Sequence, residues 1–181
     1  MLMSFPECLE RYGTEYAMRK AIAGGELHRI EKGVYSDRPG HVAEEEILRK
    51  KYPDSVLTLQ SAFMYHSFSD TVPDLYSLAT GPKAAVISDR RVKQYFMPDG
   101  TLEIGRMEMD YDGVKIVVYD LERLLIELMR FRTKLPFDYY KEVVKSYREN
   151  VDKIYPAKID DYLEAFPRRD AIEDAIDREV F

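Results

Sequence analysis

Apolar and polar positions near the start of the chain predict two short helices. Ser4-Phe5-Pro6-Glu7 has the Ser-x-x-Glu spacing of a capping box, so a first helix is expected from about residue 5 to residue 12, with Gly13 ending it. Thr14 can cap a second helix. The two helices would then be separated by one tight turn.

The second helix has one apolar face. Met18, Ala21 and Ile22 recur at i, i+3 and i+4, which is the spacing of one side of a helix. We expect this face to pack against Leu9 and Tyr12 of the first helix. The opposite face would then lie in solvent.

A hairpin is predicted directly after the second helix. Gly24-Gly25 would stop the helix, and residues 27–30 and 34–36 would form two strands. The turn between them is Glu31-Lys32-Gly33, with its glycine in the left-handed conformation. Helix, tight turn, helix and hairpin is the order of a winged helix-turn-helix.

Asp37-Arg38-Pro39-Gly40 indicates a linker, and the chain behind it has strand patterns first and helical patterns later. The predicted fold class is therefore α+β. It consists of a small winged helix-turn-helix-like module, residues 1–40, and an α/β C-terminal domain, residues 41–181, with a mixed sheet followed by C-terminal helices. Strands are expected at 56–58, 75–80, 84–87, 92–97, 102–109 and 114–119, and helices at 43–52, 61–68, after Asp120, at Pro136, at Pro156 and over about 170–179.

Composition narrows the classes of function. With 45% hydrophobic and 33% charged residues, the chain is expected to fold as a globular protein. No apolar run approaches the roughly 18 residues that a membrane span needs, and Cys8, the single cysteine, has no partner for an internal disulfide. We expect a cytoplasmic protein with no signal peptide and no membrane association.

The charge is unevenly distributed. A net charge of −6 argues against a protein that coats nucleic acid over its whole surface. Residues 1–40 contain six basic and six acidic side chains, so the net negative charge lies entirely in residues 41–181. A local DNA-binding surface near the N-terminus is compatible with this distribution.

The solvent face predicted for the second helix is a candidate DNA-reading surface. In a helix-turn-helix this face enters the major groove, where Arg can bond guanine bidentately and Lys can pair with phosphate. The hairpin adds side chains that could reach the backbone phosphates. The candidate DNA-binding residues are Thr14, Tyr16, Arg19, Lys20, His28, Arg29 and Lys32. The alternative is an ordinary solvated surface, and Glu15, Glu26 and Glu31 weaken the local positive potential.

Two groups of residues have catalytic side-chain types, but their setting favours a structural role. His66 lies among serine and aspartate residues, without the Gly-x-Ser-x-Gly of a hydrolase. Asp110, Asp112 and Lys115 could suggest a metal-dependent nuclease, but their spacing better fits a hairpin turned by Asp112-Gly113. The three histidines lie in three different elements. We expect no catalytic residues, no metal and no cofactor.

Three stretches together resemble one family. They are GGELHRIEKGVYSD (24–37), LQSAFMYHSFSDTVP (59–73) and VKIVVYDLERLLIELMRFR (114–132). In this order and spacing the chain resembles the AbiEi-type antitoxins, which are the regulator components of abortive-infection (type IV) toxin–antitoxin pairs. The resemblance spans about residues 5 to 150.

The resemblance implies a bacterial transcriptional autorepressor that binds double-stranded DNA repeats in its own promoter through a winged-helix domain. It also implies a C-terminal domain that counters a nucleotidyltransferase-like toxin without a stable toxin–antitoxin complex. Family members often begin with an additional helix that has no counterpart here. Because roughly 36 residues stabilise themselves poorly, the module is expected to rest on residues 43–52, on the C-terminal domain, or on a second copy in a homodimer.

Two main classes of function therefore remain, with an enzyme acting on nucleic acid as a minor third. The first is a DNA-binding autorepressor and antitoxin. The second is an interaction protein that does not bind DNA and whose acidic C-terminal domain binds a basic partner. Steep salt dependence of duplex binding would distinguish them, because each neutralised phosphate releases counterions.

Overall fold

Eight α-helices, one short 3-10 helix and two β-sheets make up the α+β fold of all 181 residues in this computed structural model. The chain divides into two compact units. The first unit comprises Met1–Asp54 and Asp110–Ile116, and the second comprises Ser55–Met109 and Val117–Phe181. Residues 41–54 therefore group with the first forty residues.

The elements of the first unit follow the predicted order, with one strand added at the start. The Ser4 capping box is present, with the Ser4 N–H donating to Glu7 Oε2 at 2.6 Å. The predicted helices and hairpin are confirmed. The elements are β1 Leu2–Ser4, α1 Phe5–Tyr12, α2 Glu15–Ala23, β2 His28–Glu31, β3 Val34–Ser36 and α3 Glu44–Lys51.

Strand β3 is the centre of a three-stranded antiparallel sheet with the order β1-β3-β2. Tyr35 lies opposite Met3 of β1, and both belong to a buried cluster that also contains Met18 and Ala21 of α2. Leu9 and Tyr12 pack against this cluster, as the sequence predicts, and Phe5 joins them. One face of the sheet is thus covered by α1 and α2.

The other face of the sheet is also covered. Val34 alternates with Tyr35, so its side chain faces the opposite side of the sheet, and it is fully buried. Helix α3 contacts both β1 and β3 and buries Ile47 and Leu48. Of the three supports expected for the first forty residues, contact with residues 43–52 is present, and α3 supplies apolar surface that those forty residues lack.

Ion pairs attach α3 to the rest of the first unit. Lys50 Nζ lies 2.8 Å from Glu7 Oε1, and Lys51 Nζ lies 2.8 Å from Glu31 Oε1. The hydrogen bond from Lys50 is the main cause that lowers the pKa of Glu7 to about 2. Arg49 Nη1 donates to the Lys115 carbonyl at 3.0 Å, which ties α3 to the tip of a later hairpin.

The prediction that Ile22 shares the packed face of α2 is wrong, since 37% of its surface is exposed. At 100° per residue, Ile22 lies about 40° from Met18 but about 140° from Ala17, which is on the far side of the packed face. It therefore falls at the boundary between the packed and solvated faces.

The second unit combines most of a five-stranded mixed sheet with the C-terminal helices. The strand order is β6-β5-β4-β8-β7, in which β4 is antiparallel to β5 and parallel to β8, and β5 is parallel to β6. None of the eight helices of the chain is both long and apolar enough to cross a membrane. The remaining elements are β4 Val56–Leu57, α4 Leu59–Tyr65, β5 Tyr76–Thr80, β6 Val92–Phe96, β7 Arg106–Tyr111, β8 Val114–Tyr119, α5 Leu121–Phe131, α6 Phe137–Glu149, the 3-10 helix Val151–Lys153, α7 Pro156–Leu163 and α8 Arg169–Glu179.

The predicted Asp112-Gly113 turn joins β7 to β8. Both residues have positive φ, 49° and 82° respectively, which is the conformation of a two-residue hairpin turn. The hairpin starts later than predicted, because residues 102–105 form turns and β7 begins at Arg106.

The predicted strand at 84–87 is wrong. The segment lies in the connection between β5 and β6, which are parallel neighbours, so no position between them is open to another strand. Val86 is 80% exposed, and the Ile87 N–H donates to the Gln94 side chain rather than to a strand. The helix predicted at 61–68 begins two residues earlier, at Leu59, and ends at Tyr65.

A buried arginine joins α5 to the turns before β7. Arg123 and Glu127 are fully buried, and Arg123 Nε donates to Glu127 Oε1 at 2.9 Å. Arg123 Nη1 also donates to the carbonyls of Thr101 and Ile104, the latter at 3.0 Å. Gly105 sits against this arginine with φ +75°, and a Cβ atom there would lie 2.4 Å from Arg123 Cβ.

Substitution of Gly105 by alanine is therefore expected to destabilise the protein strongly. The added methyl would force both a strained positive φ and a backbone shift against Arg123, at a combined cost of about 2–4 kcal/mol. Gly100→Ala is the matched control, because Gly100 has φ +74° and nothing within 4 Å of the added Cβ. This variant should lose only the free energy needed to hold an alanine at positive φ, about 1–2 kcal/mol. Urea unfolding of both variants measures the difference, and equal losses would refute the close contact at Gly105.

Candidate nucleic-acid interface

The turn between α1 and α2 holds the two helices in a fixed arrangement. Gly13 has φ +77°, and its N–H donates to the Leu9 carbonyl at 2.8 Å, which closes α1. Thr14 is the N-cap of α2, and its Oγ1 accepts a hydrogen bond from the Ala17 N–H at 3.2 Å. The Thr14 hydroxyl thus already has a capping role, which leaves it a minor candidate for DNA contact.

The solvent face of α2 carries the residues that the sequence assigns to it. Tyr16 is 80% exposed, and Arg19, Lys20 and Ala23 are exposed along the same face. Met18, on the opposite side, is buried. The face is therefore open over two turns of the helix.

Arg19 is engaged by a carboxylate of its own helix. Its Nη2 lies 3.3 Å from Glu15 Oε2, in an i,i+4 pair whose side chains are both exposed. Such a pair is worth about 0.3–0.5 kcal/mol in water. A guanine edge or a phosphate could displace Glu15 at little cost.

The hairpin presents the other three candidates. Arg29 is exposed in β2, and Lys32 is exposed in the turn, where Gly33 has φ +85°. His28 is half-buried and pairs with Ser36 in register. The register shifts between Arg29 and Glu31, and β2 is an edge strand of its sheet. The hairpin is therefore open on its outer side.

Ion pairs change the balance of charge on this surface. Of the three acidic neighbours, Glu31 is paired with Lys51 and Glu15 with Arg19. Lys20, Arg29 and Lys32 have no carboxylate within ion-pair distance. Lys51 lies beyond the first forty residues, so its pair with Glu31 makes the local surface more positive than the equal count of acidic and basic residues implies, although Glu26 remains exposed.

All seven candidate residues lie in the first compact unit, on two elements. Thr14, Tyr16, Arg19 and Lys20 belong to α2 and its cap, and the other three belong to the hairpin. Strand β1 leads directly into α1 and pairs with β3, so one small sheet links the helix pair to the hairpin. The sequence does not reveal β1, because a three-residue strand shows no periodicity and forms only against its partner.

The residues with catalytic side-chain types have structural partners. His66 Nε2 lies 2.8 Å from the Tyr119 carbonyl, and burial lowers the pKa of His66 despite the nearby Asp120 and Glu122. Asp110 Oδ1 accepts the Gly113 N–H at 2.9 Å, as in a turn. No three His, Cys, Asp or Glu side chains are grouped so that they could hold a metal ion.

Comparison with known proteins gives a likeness in fold. No family model and no curated protein matches the sequence. The structure is similar to a crystal structure of the RV2827C protein from Mycobacterium tuberculosis, with a TM-score of 0.63 and 14% sequence identity. The two proteins share a fold. The match covers 98% of this chain and 71% of that chain, and at this identity it carries no information about function.

The half-buried His66 is expected to make stability depend on pH. Its pKa in the folded protein lies below its ordinary value, so the unfolded chain binds a proton first as pH falls. Neutral His66 makes its full contribution to the free energy of unfolding above about pH 6.5. This contribution is lost as pH falls toward the pKa of His66 in the folded protein. His66→Gln, which keeps a side-chain donor for the Tyr119 carbonyl, should flatten this dependence in urea unfolding from pH 7 to pH 5. His41→Gln is the control at an exposed histidine. An unchanged pH profile in His66→Gln would contradict the assignment.

Proposed function

We propose that this chain is a DNA-binding transcriptional autorepressor and antitoxin of the AbiEi type, with residues 1–40 forming a winged helix-turn-helix-like module. The observation that supports DNA binding is a positive surface without carboxylate partners on α2 and the adjoining hairpin. Lys20, Arg29 and Lys32 form that surface, and Arg19 adjoins them in an exposed ion pair.

In the proposed complex, α2 lies in the major groove. Met18 and Ala21 hold its inner face against the sheet, so only the face with Tyr16, Arg19 and Lys20 is free to approach base edges. A helix presented in this way, with a second helix crossing the backbone, is the geometry of helix-turn-helix proteins. The hairpin, with Arg29 and Lys32, contacts backbone phosphates beside it.

The packing of the first unit supports a role for it in recognition. DNA contact by two elements requires that both keep fixed positions, since a mobile pair would lose entropy on binding. Here β3 pairs with β1, which continues into the first helix, and α3 covers the second face of the sheet. The hairpin and α2 are therefore presented as one folded surface.

The antitoxin part of the proposal rests on the resemblance to AbiEi-type proteins. Expression of the product of the adjacent open reading frame should arrest growth, and coexpression of this chain should restore growth. A nucleotidyltransferase signature in that product, with no complex of the two proteins on gel filtration, fits the proposal. A stable complex would instead favour the alternative in which the acidic C-terminal domain binds a basic partner.

Binding to repeats in the promoter would place two copies of the chain on one DNA. Two half-sites one helical turn or a multiple of it apart would then be occupied together. The mass of the full chain on duplexes with one and two repeats, measured by analytical ultracentrifugation, tests for the homodimer.

Lys20→Ala and Lys32→Ala are expected to weaken binding to all duplexes alike. Each lysine would neutralise one phosphate, so each variant should lower the slope of log K against log salt by about 0.9. Fluorescence anisotropy of the full chain on its own upstream DNA at several salt concentrations measures this slope. Lys83→Ala is the matched control, because Lys83 is exposed and belongs to the second compact unit. A slope that does not change in either variant, with the variants folded, would remove these lysines from the interface.

Arg19→Ala is expected to cost about 1–3 kcal/mol on the promoter repeat and to relax preference at one base pair. The reason is that its guanidinium can bond guanine bidentately once it leaves Glu15. Glu15→Gln is the companion variant, since it releases Arg19 and removes a negative charge, and it should tighten binding. Anisotropy on repeats with each position substituted in turn shows where preference is lost. Equal affinity of Arg19→Ala and the parent protein for every duplex would exclude base recognition by Arg19.

A further inference from the structure

A cavity of about 490 Å³ lies in the second compact unit, where α5 ends and α8 begins. Four of its lining side chains are cationic: Arg130, Arg132, Lys134 and Arg168. No carboxylate lines it. A volume between 300 and 1,000 Å³ is usual for small-molecule sites. The size of this cavity therefore suits a small molecule, and its positive charge favours an anion.

Only one of the four cations has a carboxylate partner, and it shares that partner with Arg123. Arg130 Nη1 lies 2.7 Å from Glu127 Oε2, in the buried network around Arg123. Arg132 donates to the Met129 carbonyl at 2.8 Å, which caps the end of α5 but supplies no negative charge. Lys134 lies 5.5 Å above the Phe131 ring, and the Arg168 side chain has no ion-pair or hydrogen-bond partner. Three unneutralised cations around one cavity repel each other, and an anion between them would relieve this repulsion.

The backbone at one wall of the cavity has an unusual conformation. Arg168 is the N-cap of α8 with φ 61° and ψ 35°, in the left-handed region, and no side chain caps the start of this helix. A non-glycine residue with positive φ is uncommon. The arrangement brings an arginine and the positive end of an 11-residue helix to the same cavity.

The rest of the lining is mostly apolar. The accessible apolar residues that line it are the half-buried Phe131 and the exposed Pro167 and Ala171, beside the buried Met129 and Ile172. An inorganic anion would contact the cations and leave the apolar part of the cavity empty. A ligand with both an anionic group and an apolar or aromatic portion would use the whole cavity.

We propose that this cavity binds a small organic phosphate of the size of a nucleotide. The phosphate lies among Arg132, Lys134 and Arg168. The two guanidinium groups suit bidentate phosphate contacts, and the Lys134 ammonium adds a compact positive charge. The ring system rests on the apolar wall. A small molecule is favoured over a nucleic-acid backbone because a concave cavity matches a compact ligand, whereas duplex DNA requires an extended surface. This site is separate from the proposed DNA interface, so its failure would leave that proposal unchanged.

Isothermal titration of the full chain at low ionic strength tests the proposal with three probes. ADP carries both phosphate and ring, pyrophosphate carries the charge alone, and adenosine carries the ring alone. ADP is expected to bind at least about tenfold more tightly than either of the other two, since each portion adds contacts. Absence of ADP binding overturns the proposal, and so does adenosine binding as tight as that of ADP.

Two variants assign the binding to this cavity. Arg168→Gly removes a cation while glycine adopts the positive φ without strain, so the variant should fold and bind ADP about tenfold more weakly. Arg132→Ala should weaken ADP similarly. Arg90→Ala is the matched control at an exposed arginine of the same unit, and it should bind like the parent protein. ADP binding unchanged in both cavity variants overturns the assignment. The proposal is also overturned if the parent protein binds a single-stranded oligonucleotide but not ADP, and both cavity variants lose that binding. The cations would then form a nucleic-acid surface.

Discussion

The three-residue strand β3 is the element on which the first compact unit depends. It pairs with β1 on one side and β2 on the other, and it buries Tyr35 on one face and Val34 on the other. A module of about forty residues has too little surface to cover both faces of even a small sheet. The chain meets this constraint by adding α3, which the sequence places beyond a linker, and by starting with a strand rather than a helix. The position of the hairpin relative to α2, and with it any shared DNA surface, depends on this sheet.

Ion pairing decides which charges of the chain are available to a partner. The first forty residues are neutral by count, yet Glu31 is engaged by Lys51 of α3 and Glu15 by Arg19. In the second unit, Glu127 is shared between Arg130 and the buried Arg123, so the three side chains together keep one positive charge. Two groups of cations without a carboxylate partner lie on α2 with its hairpin and around the cavity at the end of α5. The net charge of the chain does not reveal either of these groups of cations.

The second unit shows how buried charge can serve structure. Arg123 lies 4.3 Å from the centroid of the Tyr119 ring and 4.6 Å from that of Phe166, so it is both stacked and hydrogen-bonded. Removing one member of such a network leaves an unpaired buried charge, which costs about 3–5 kcal/mol. The Asp-Leu-Glu-Arg stretch at the start of α5 therefore has a structural explanation: Asp120 caps the helix and Arg123 anchors the preceding turns.

The sequence by itself determined most local elements, because their signals are local. The capping box at Ser4, the Thr14 cap, the Asp112-Gly113 turn and the solvent face of α2 depend on residues within one or two turns of each other. Tertiary structure alone decided the rest. Strand β1 exists only because β3 offers it a partner, residues 84–87 are not a strand because β6 occupies the place beside β5, and Ile22 is exposed because the packed face is narrower than its spacing suggests. The same holds for the cavity: Arg132 and Arg168 are thirty-six positions apart in the sequence, and only the packing of α8 against α5 brings them to one site, since charge and cavity shape are properties of the folded surface.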